Sequence, residues 1–195
     1  MFLMRNDTPQ YKTLFPDLRG KLVYTQREND ISVLYTLDLQ TEEARRVYSH
    51  DDPYNANILF PKWSEDASRI QFIAMHDKEW NVYSVRPDGT NLRLEGPAQN
   101  GNELLSRVSR TDDIVGKKGS LYHEHADGTQ TCIYKHKYFD QKFNSGASEA
   151  SWGMNKQYVI FELCTLLNPC SIYVADLHGH IAKVIGKAAD PDWSL

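Results

Sequence analysis

Apolar and polar residues alternate along much of this chain. In the stretch RIQFIAM, Ile70, Phe72 and Ala74 fall on one face. In NVYSV, Val82, Ser84 and the residues between them split across two faces. A period of two is the signature of a strand with one buried face. No stretch repeats apolar residues three and four apart over a dozen positions, so long helices are not expected. The segments Pro87–Thr90 (PDGT) and Ala126–Thr129 (ADGT) each carry Asp-Gly, a strong short-range hairpin signal.

The strand pattern recurs. Pro61–Gly96 and Ala150–Gly186 align, each with a Trp, a small residue, a polar turn, an apolar strand, a loop, a strand bearing Tyr, a turn and a last strand. Gly20–Ser49 and the compact Ser106–Lys135 fit the same template less fully. The third-strand tyrosine returns as Tyr35, Tyr83, Tyr122 and Tyr173, and the turn position as Trp63, Val108, Trp152 and Trp193. Steps of roughly 40–50 residues suit a four-stranded antiparallel propeller blade. One blade cannot bury both its faces. Stacking blades around an axis does so and leaves only short edges.

The expected fold is therefore all-β: a β-propeller of about four four-stranded antiparallel blades, as a four-bladed ring or as half of a larger one. An N-terminal extension covers residues 1–13 and the propeller repeats residues 14–195, with blades near 20–60, 61–105, 106–149 and 150–195. Ring closure usually pairs the two chain ends. The C-terminal ADPDWSL reads as the start of a repeat, and GKLVYTQ supplies the strand that would follow it. The tail is thus expected to form the inner strand of the first blade, with LFPDLRG before Gly20 as the competing candidate.

The strings PKWSEDASRIQF, NVYSVRPDGTNLRL and ADPDWSL resemble the repeat of TolB-like, or WD40-like, β-propellers. The likeness covers about residues 14–195. It departs from the family pattern where Glu65-Asp66-Ala67 and Met154-Asn155-Lys156 stand in place of Pro-Asp-Gly. Such propellers commonly have six or more blades, so the resemblance also admits a dimeric ring or a portion of a longer protein. It implies a binding scaffold, often for protein partners, and carries over no catalytic residue.

Composition narrows the function classes. The aromatic content is 11% with eleven tyrosines and four tryptophans, which favours pleated surfaces. A net charge of −4 argues against nucleic-acid binding, which normally shows a basic face. No apolar run is long enough for a transmembrane helix. The opening MFLMRND lacks the basic start and long apolar core of a secretory signal, so a cytoplasmic location is expected, or a periplasmic one if a signal was removed. Of the three cysteines, Cys164 and Cys170 flank a hairpin loop where a bridge is geometrically feasible. Two reduced thiols are the expected state, because cytosolic disulfides are rare.

Candidate chemistry is sparse. A nucleophile elbow needs G-x-S-x-G, and GASEASWG at Gly146 has the wrong spacing. His123 and His125 share a strand face, and His178 and His180 flank Gly179. Imidazoles so placed can chelate a metal, but His123 and His125 are expected as exposed polar residues away from the axis. GKKGS at Gly116–Ser120 reads as a tight strand connection rather than a phosphate loop. Asp51, Asp52 and Asn55 carry oxygens that suit calcium, without EF-hand spacing, and read as a solvated turn. Trp63, Trp152 and Trp193 read as packing residues between blades. Trp80, in the charged segment HDKEWN, suits a partner contact or a cap on its own blade.

These features point to a non-enzymatic propeller scaffold that binds a protein partner or small ligand through blade loops or its central funnel, with no catalytic, cofactor or metal residue assigned. The alternatives are a metal-assisted lyase or hydrolase with funnel histidines, and the accessory propeller of a prolyl oligopeptidase-like enzyme. A homodimer completing a larger ring is a further assembly the repeats allow.

Overall fold

A computed structural model describes residues 10–49, 57–76, 78–98, 113–136, 146–153, 156–165 and 168–194. The first sheet contains β1 (Lys21–Glu28), β2 (Ile31–Asp38) and β3 (Ala44–Ser49). The second contains β4 (Ile58–Trp63), β5 (Ile70–His76), β6 (Glu79–Val85) and β7 (Arg93–Pro97). The third contains β8 (Ile114–Lys117), β9 (Ser120–Glu124) and β10 (Gln130–Tyr134). The fourth contains β11 (Gly146–Gly153), β12 (Tyr158–Thr165), β13 (Asn168–Asp176) and β14 (Ile181–Gly186). The last strand, β15 (Ala188–Ser194), returns to pair antiparallel with β1, so the first sheet runs β15-β1-β2-β3. The fold is thus an all-β propeller of meander sheets. Position 108, the turn position of the third repeat, lies outside the described residues.

Closure by the tail sets Leu22 opposite Trp193 and Val23 opposite Asp192. LFPDLRG does not compete for this place. A short helix, α1 (Gln10–Leu14), runs into this segment, and together they deliver Tyr11, Phe15 and Leu18 into the core beside Leu22 and Trp193. The Phe15 ring meets Tyr158 edge-on at 5.4 Å.

The period of two seen in the sequence becomes three cores between sheets. Leu22 and Tyr24 of β1 face the fourth sheet with Ile160, Ile172 and Val174. Val23, between them, faces the second sheet with Ile58, Trp63, Ile70 and Phe72. On β12, Val159 and Phe161 turn the other way, towards Leu121 and Ile133 of the third sheet. Each fully buried side chain of this size contributes roughly 1.5–3 kcal/mol. The Asp-Gly turns cap the outer hairpins. The Asp88 carboxylate accepts from the Thr90 backbone N–H at 2.9 Å, and Asp127 does the same for Thr129.

Cys164 and Cys170 do not stand as separate thiols. They are joined by a disulfide across the β12–β13 hairpin, with Cα atoms 4.1 Å apart. Compartment favoured reduced thiols, whereas the deciding factor is local: the hairpin holds the two residues close enough for their sulfurs to bond. Cys132 is free and exposed.

Candidate binding site

The inner strands β4, β11 and β15 share a device. Each carries one residue in the left-handed region three positions before its Trp: Phe60 at φ 51°, Glu149 at 45° and Asp190 at 51°. At each the pairing register slips, between Leu59 and Lys62, between Ser148 and Ser151, and opposite Val23 and Thr25. Such bulges re-aim the side chains beside them. Lys62, Ser151 and Asp192 follow two residues later in each strand.

Asp192 joins three sheets. One carboxyl oxygen accepts from the Trp63 backbone N–H at 2.8 Å and the other from the Ser151 hydroxyl at 3.0 Å, while its own strand pairs with β1. The residue is buried, so neither donor would readily find water in its place.

Next to this junction lies an acidic cluster formed by Glu149, Asp190 and Glu162 of β12. Burial, reinforced by the Asp190 and Glu162 charges, pushes Glu149 up to about 8. Burial pushes Glu162 up to about 7, against the Asp190 backbone N–H that donates to its carboxyl at 3.0 Å. Burial likewise raises Asp190 to about 6, although the Thr25 hydroxyl donates to it at 3.1 Å. Lys62 is the nearby cation that partly offsets the crowding at Glu149. The cavity bordered by Phe60, Lys62, Glu149 and Asp190 is only about 20 Å³, room for a water but not for an organic ligand. Chemically, the cluster holds protons near neutral pH.

A cavity of about 850 Å³ opens between the third and fourth sheets, at the end where the inner strands finish. Its walls include Asp113, His123, His125, Trp152, Lys156 and Trp193, and Asp192 and Ser151 reach it from the axis. The Trp152 indole N–H donates to Asp113 at 2.7 Å, and Lys156 pairs with the other Asp113 oxygen. These contacts hold Asp113 below the usual carboxylate range, although burial opposes them as the largest single influence. His123 packs edge-on against Trp152 at 5.1 Å and lies 4.4 Å from the His125 ring. Among the described residues, the buried His123 Nδ1 has no hydrogen-bond partner. His125 Nε2 is bonded to the Thr131 hydroxyl at 2.7 Å.

The sequence pattern placed His123 and His125 as exposed polar residues away from the axis. They are instead partly buried cavity walls, because β9, which carries His123 and leads directly into His125, packs beside β11. His178 and His180 sit exposed on the β13–β14 turn, where His180 pairs with Asp176 at 2.7 Å. Trp63 and Trp193 are buried core residues and Trp152 packs partly buried against the third core, while Trp152 and Trp193 both border the cavity. Trp80 is partly buried on β6, where it pairs opposite Met75 of β5. GKKGS joins β8 to β9 as a hairpin turn, and GASEASWG is β11 itself. Asp51, Asp52 and Asn55 lie outside the described residues. Among the described residues, the group whose metal-ligating atoms lie close together is Glu162, Cys164 and Cys170, which includes no histidine. The acidic cluster escaped the sequence reading. Its signal was a Glu or Asp three places before the repeat tryptophan, in EASW and DPDW.

Sheet order and tail closure make this chain a β-propeller with a composite first blade. No protein-family model matches the chain, and no curated protein matches it. Among solved structures it is similar to TolB from Acinetobacter baumannii, at 13% identity and a TM-score of 0.43, covering 94% of this chain and 69% of that one. It is also similar to a putative TolB from Agrobacterium tumefaciens, at 13% identity and 0.32, covering 90% and 71%. An oligogalacturonate lyase from Vibrio parahaemolyticus matches at 11% and 0.30, covering 76% of this chain and 46% of that one. The fold assignment rests on the strand order described above.

Proposed function

We propose that this chain is a non-enzymatic binding propeller that takes a short segment of a protein partner into the cavity between its third and fourth sheets. The observation that carries this reading is the cavity itself. Its volume of about 850 Å³ falls within the range of ligand sites, and Trp152 offers it an aromatic wall beside charges of both signs. A peptide has backbone donors and acceptors and charged ends that suit Lys156, the histidines and Glu124, which also lines the cavity. His123 adds support: a buried ring nitrogen with no partner among the described residues costs stability and calls for a reason other than stability.

The metal-assisted alternative gains no specific support. His125 Nε2 is committed to Thr131, and His123 presents Nε2 to Asp113 at 3.8 Å. Trp80 is kept as a second contact to be tested. The experiment is an NMR titration of the four indole N–H signals with a panel of charged tri- and tetrapeptides. Saturable shifts at Trp152, abolished in Trp152→Ala but retained in Trp80→Ala, would support the proposal. Shifts confined to Trp80, or unchanged affinity in Trp152→Ala, would reject the cavity as the site.

A further inference from the structure

The disulfide lies against a carboxyl group. Glu162 Oε1 is 2.8 Å from Cys164 Sγ, and Cys164 is buried while Cys170, its partner, is partly exposed. A bridged sulfur carries no hydrogen, so a hydrogen bond at this contact takes its proton from the carboxyl. The other Glu162 oxygen is tied to the Asp190 backbone N–H, which fixes the side chain in place. The charged and titratable groups facing Glu162 are Asp190 on β15 and Glu149 on β11, with Lys62 on β4 facing Glu149.

We propose that Cys164, Cys170 and Glu162 form a thiol–disulfide exchange centre, in which Glu162 protonates the departing Cys164 sulfur. The co-reactant is a dithiol. Its first thiolate attacks the accessible Cys170 Sγ, forming a mixed disulfide. The Cys164–Cys170 bond breaks, and its electron pair leaves on Cys164. The Glu162 carboxyl transfers its proton to that sulfur and is reprotonated from water. The second thiolate of the dithiol then attacks its own sulfur in the mixed disulfide and expels Cys170, which takes a proton from water. The dithiol is oxidised to a disulfide by two electrons, and the protein gains two thiols. In reverse, Glu162 is the base that takes the proton from Cys164.

Two features separate this centre from an inert staple. The sulfur of the partly exposed cysteine is the one offered to attack, and the sulfur of the buried cysteine is the one beside a proton donor. Burial keeps that donor protonated up to about pH 7. Asp190 ties Glu162 to the strand that closes the propeller, which holds the carboxyl in place beside the buried sulfur.

The test measures reduction by dithiothreitol in the full chain carrying Cys132→Ser, read by acid quench, thiol alkylation and mass spectrometry. Rates are expressed per reductant thiolate. The proposal expects Glu162→Gln to slow this rate about tenfold or more at pH 6, in line with the loss of a general acid. It expects the wild-type rate per thiolate to fall as pH rises through about 7, with no such fall in Glu162→Gln. Glu149→Gln should keep a fall. A wild-type profile flat from pH 5.5 to 8.5 would overturn the proposal whether or not the variant folds. So would reduction no faster than global unfolding, or two free thiols at 164 and 170 after equilibration in oxidised glutathione.

Discussion

Removing Asp192 tests the inner junction at its centre. The side chain is buried and accepts two hydrogen bonds, from the Trp63 backbone N–H and the Ser151 hydroxyl. Asp192→Ala leaves a backbone donor beside a buried tryptophan without that acceptor. An unsatisfied buried donor costs about 1–3 kcal/mol, and the second lost bond adds about 1 kcal/mol because the hydroxyl can rotate. The expected total is about 2–4 kcal/mol, a large part of the roughly 5–15 kcal/mol that holds a domain together. Asp192→Asn keeps one acceptor oxygen and should cost about half as much. Urea unfolding followed by tryptophan fluorescence gives the answer as a lower midpoint at unchanged slope. Ser151→Ala on its own should cost about 1 kcal/mol, and nothing further in the Asp192→Ala background, because the two share one bond. A loss below about 0.5 kcal/mol in Asp192→Ala would refute the view that this side chain binds three sheets together.

Stability should also depend on pH in an unusual direction. Glu149, Glu162 and Asp190 titrate near 8, 7 and 6 in the fold, against 4.5, 4.5 and 3.8 for the free groups. Over that window the folded chain binds more protons than the unfolded one, so stability falls as pH rises. Discounted for partial exposure, the loss between pH 5 and 8 is on the order of 2 kcal/mol. Urea midpoints across that range should therefore decline, and Glu149→Gln should flatten the decline. Midpoints that rise towards pH 8 would show that these carboxyls are solvated. Gly153→Ala should destabilise by about 1–3 kcal/mol, since its new methyl would lie 2.2 Å from the Trp193 ring. Thermal melts should show this loss, and an unchanged melting temperature would mean that Trp193 is not seated there. Gly20→Ala should be at least as costly, because φ of 106° adds backbone strain to a 2.4 Å clash with Trp193 Nε1.

The fold was legible because its pattern is local. Alternation in RIQFIAM, the Asp-Gly turns and the repeated tryptophans each report a hairpin or a packing position within a few residues. The tail closure was legible because DPDWS repeats the motif of the other inner strands. The site was not legible, since it depends on pairs far apart in sequence. Asp113 meets Trp152, and Asp190 meets Glu162, only once the sheets stack. The histidines misled for the same reason. Strand periodicity places His123 and His125 on one face but cannot say that the face looks across to β11. Cys164 and Cys170 were judged by compartment, when their closeness across their own hairpin permits the bridge.

The most direct test of the account is whether β15 completes the first blade of its own chain. Isotope-filtered NMR on a mixture of labelled and unlabelled protein separates contacts within a chain from contacts between chains. The account predicts strong intrachain cross-strand signals for Leu22 with Trp193 and Val23 with Asp192, and none between chains. The absence of those signals would contradict the composite blade. Their appearance only between chains would mean that the tail closes a neighbour's propeller instead.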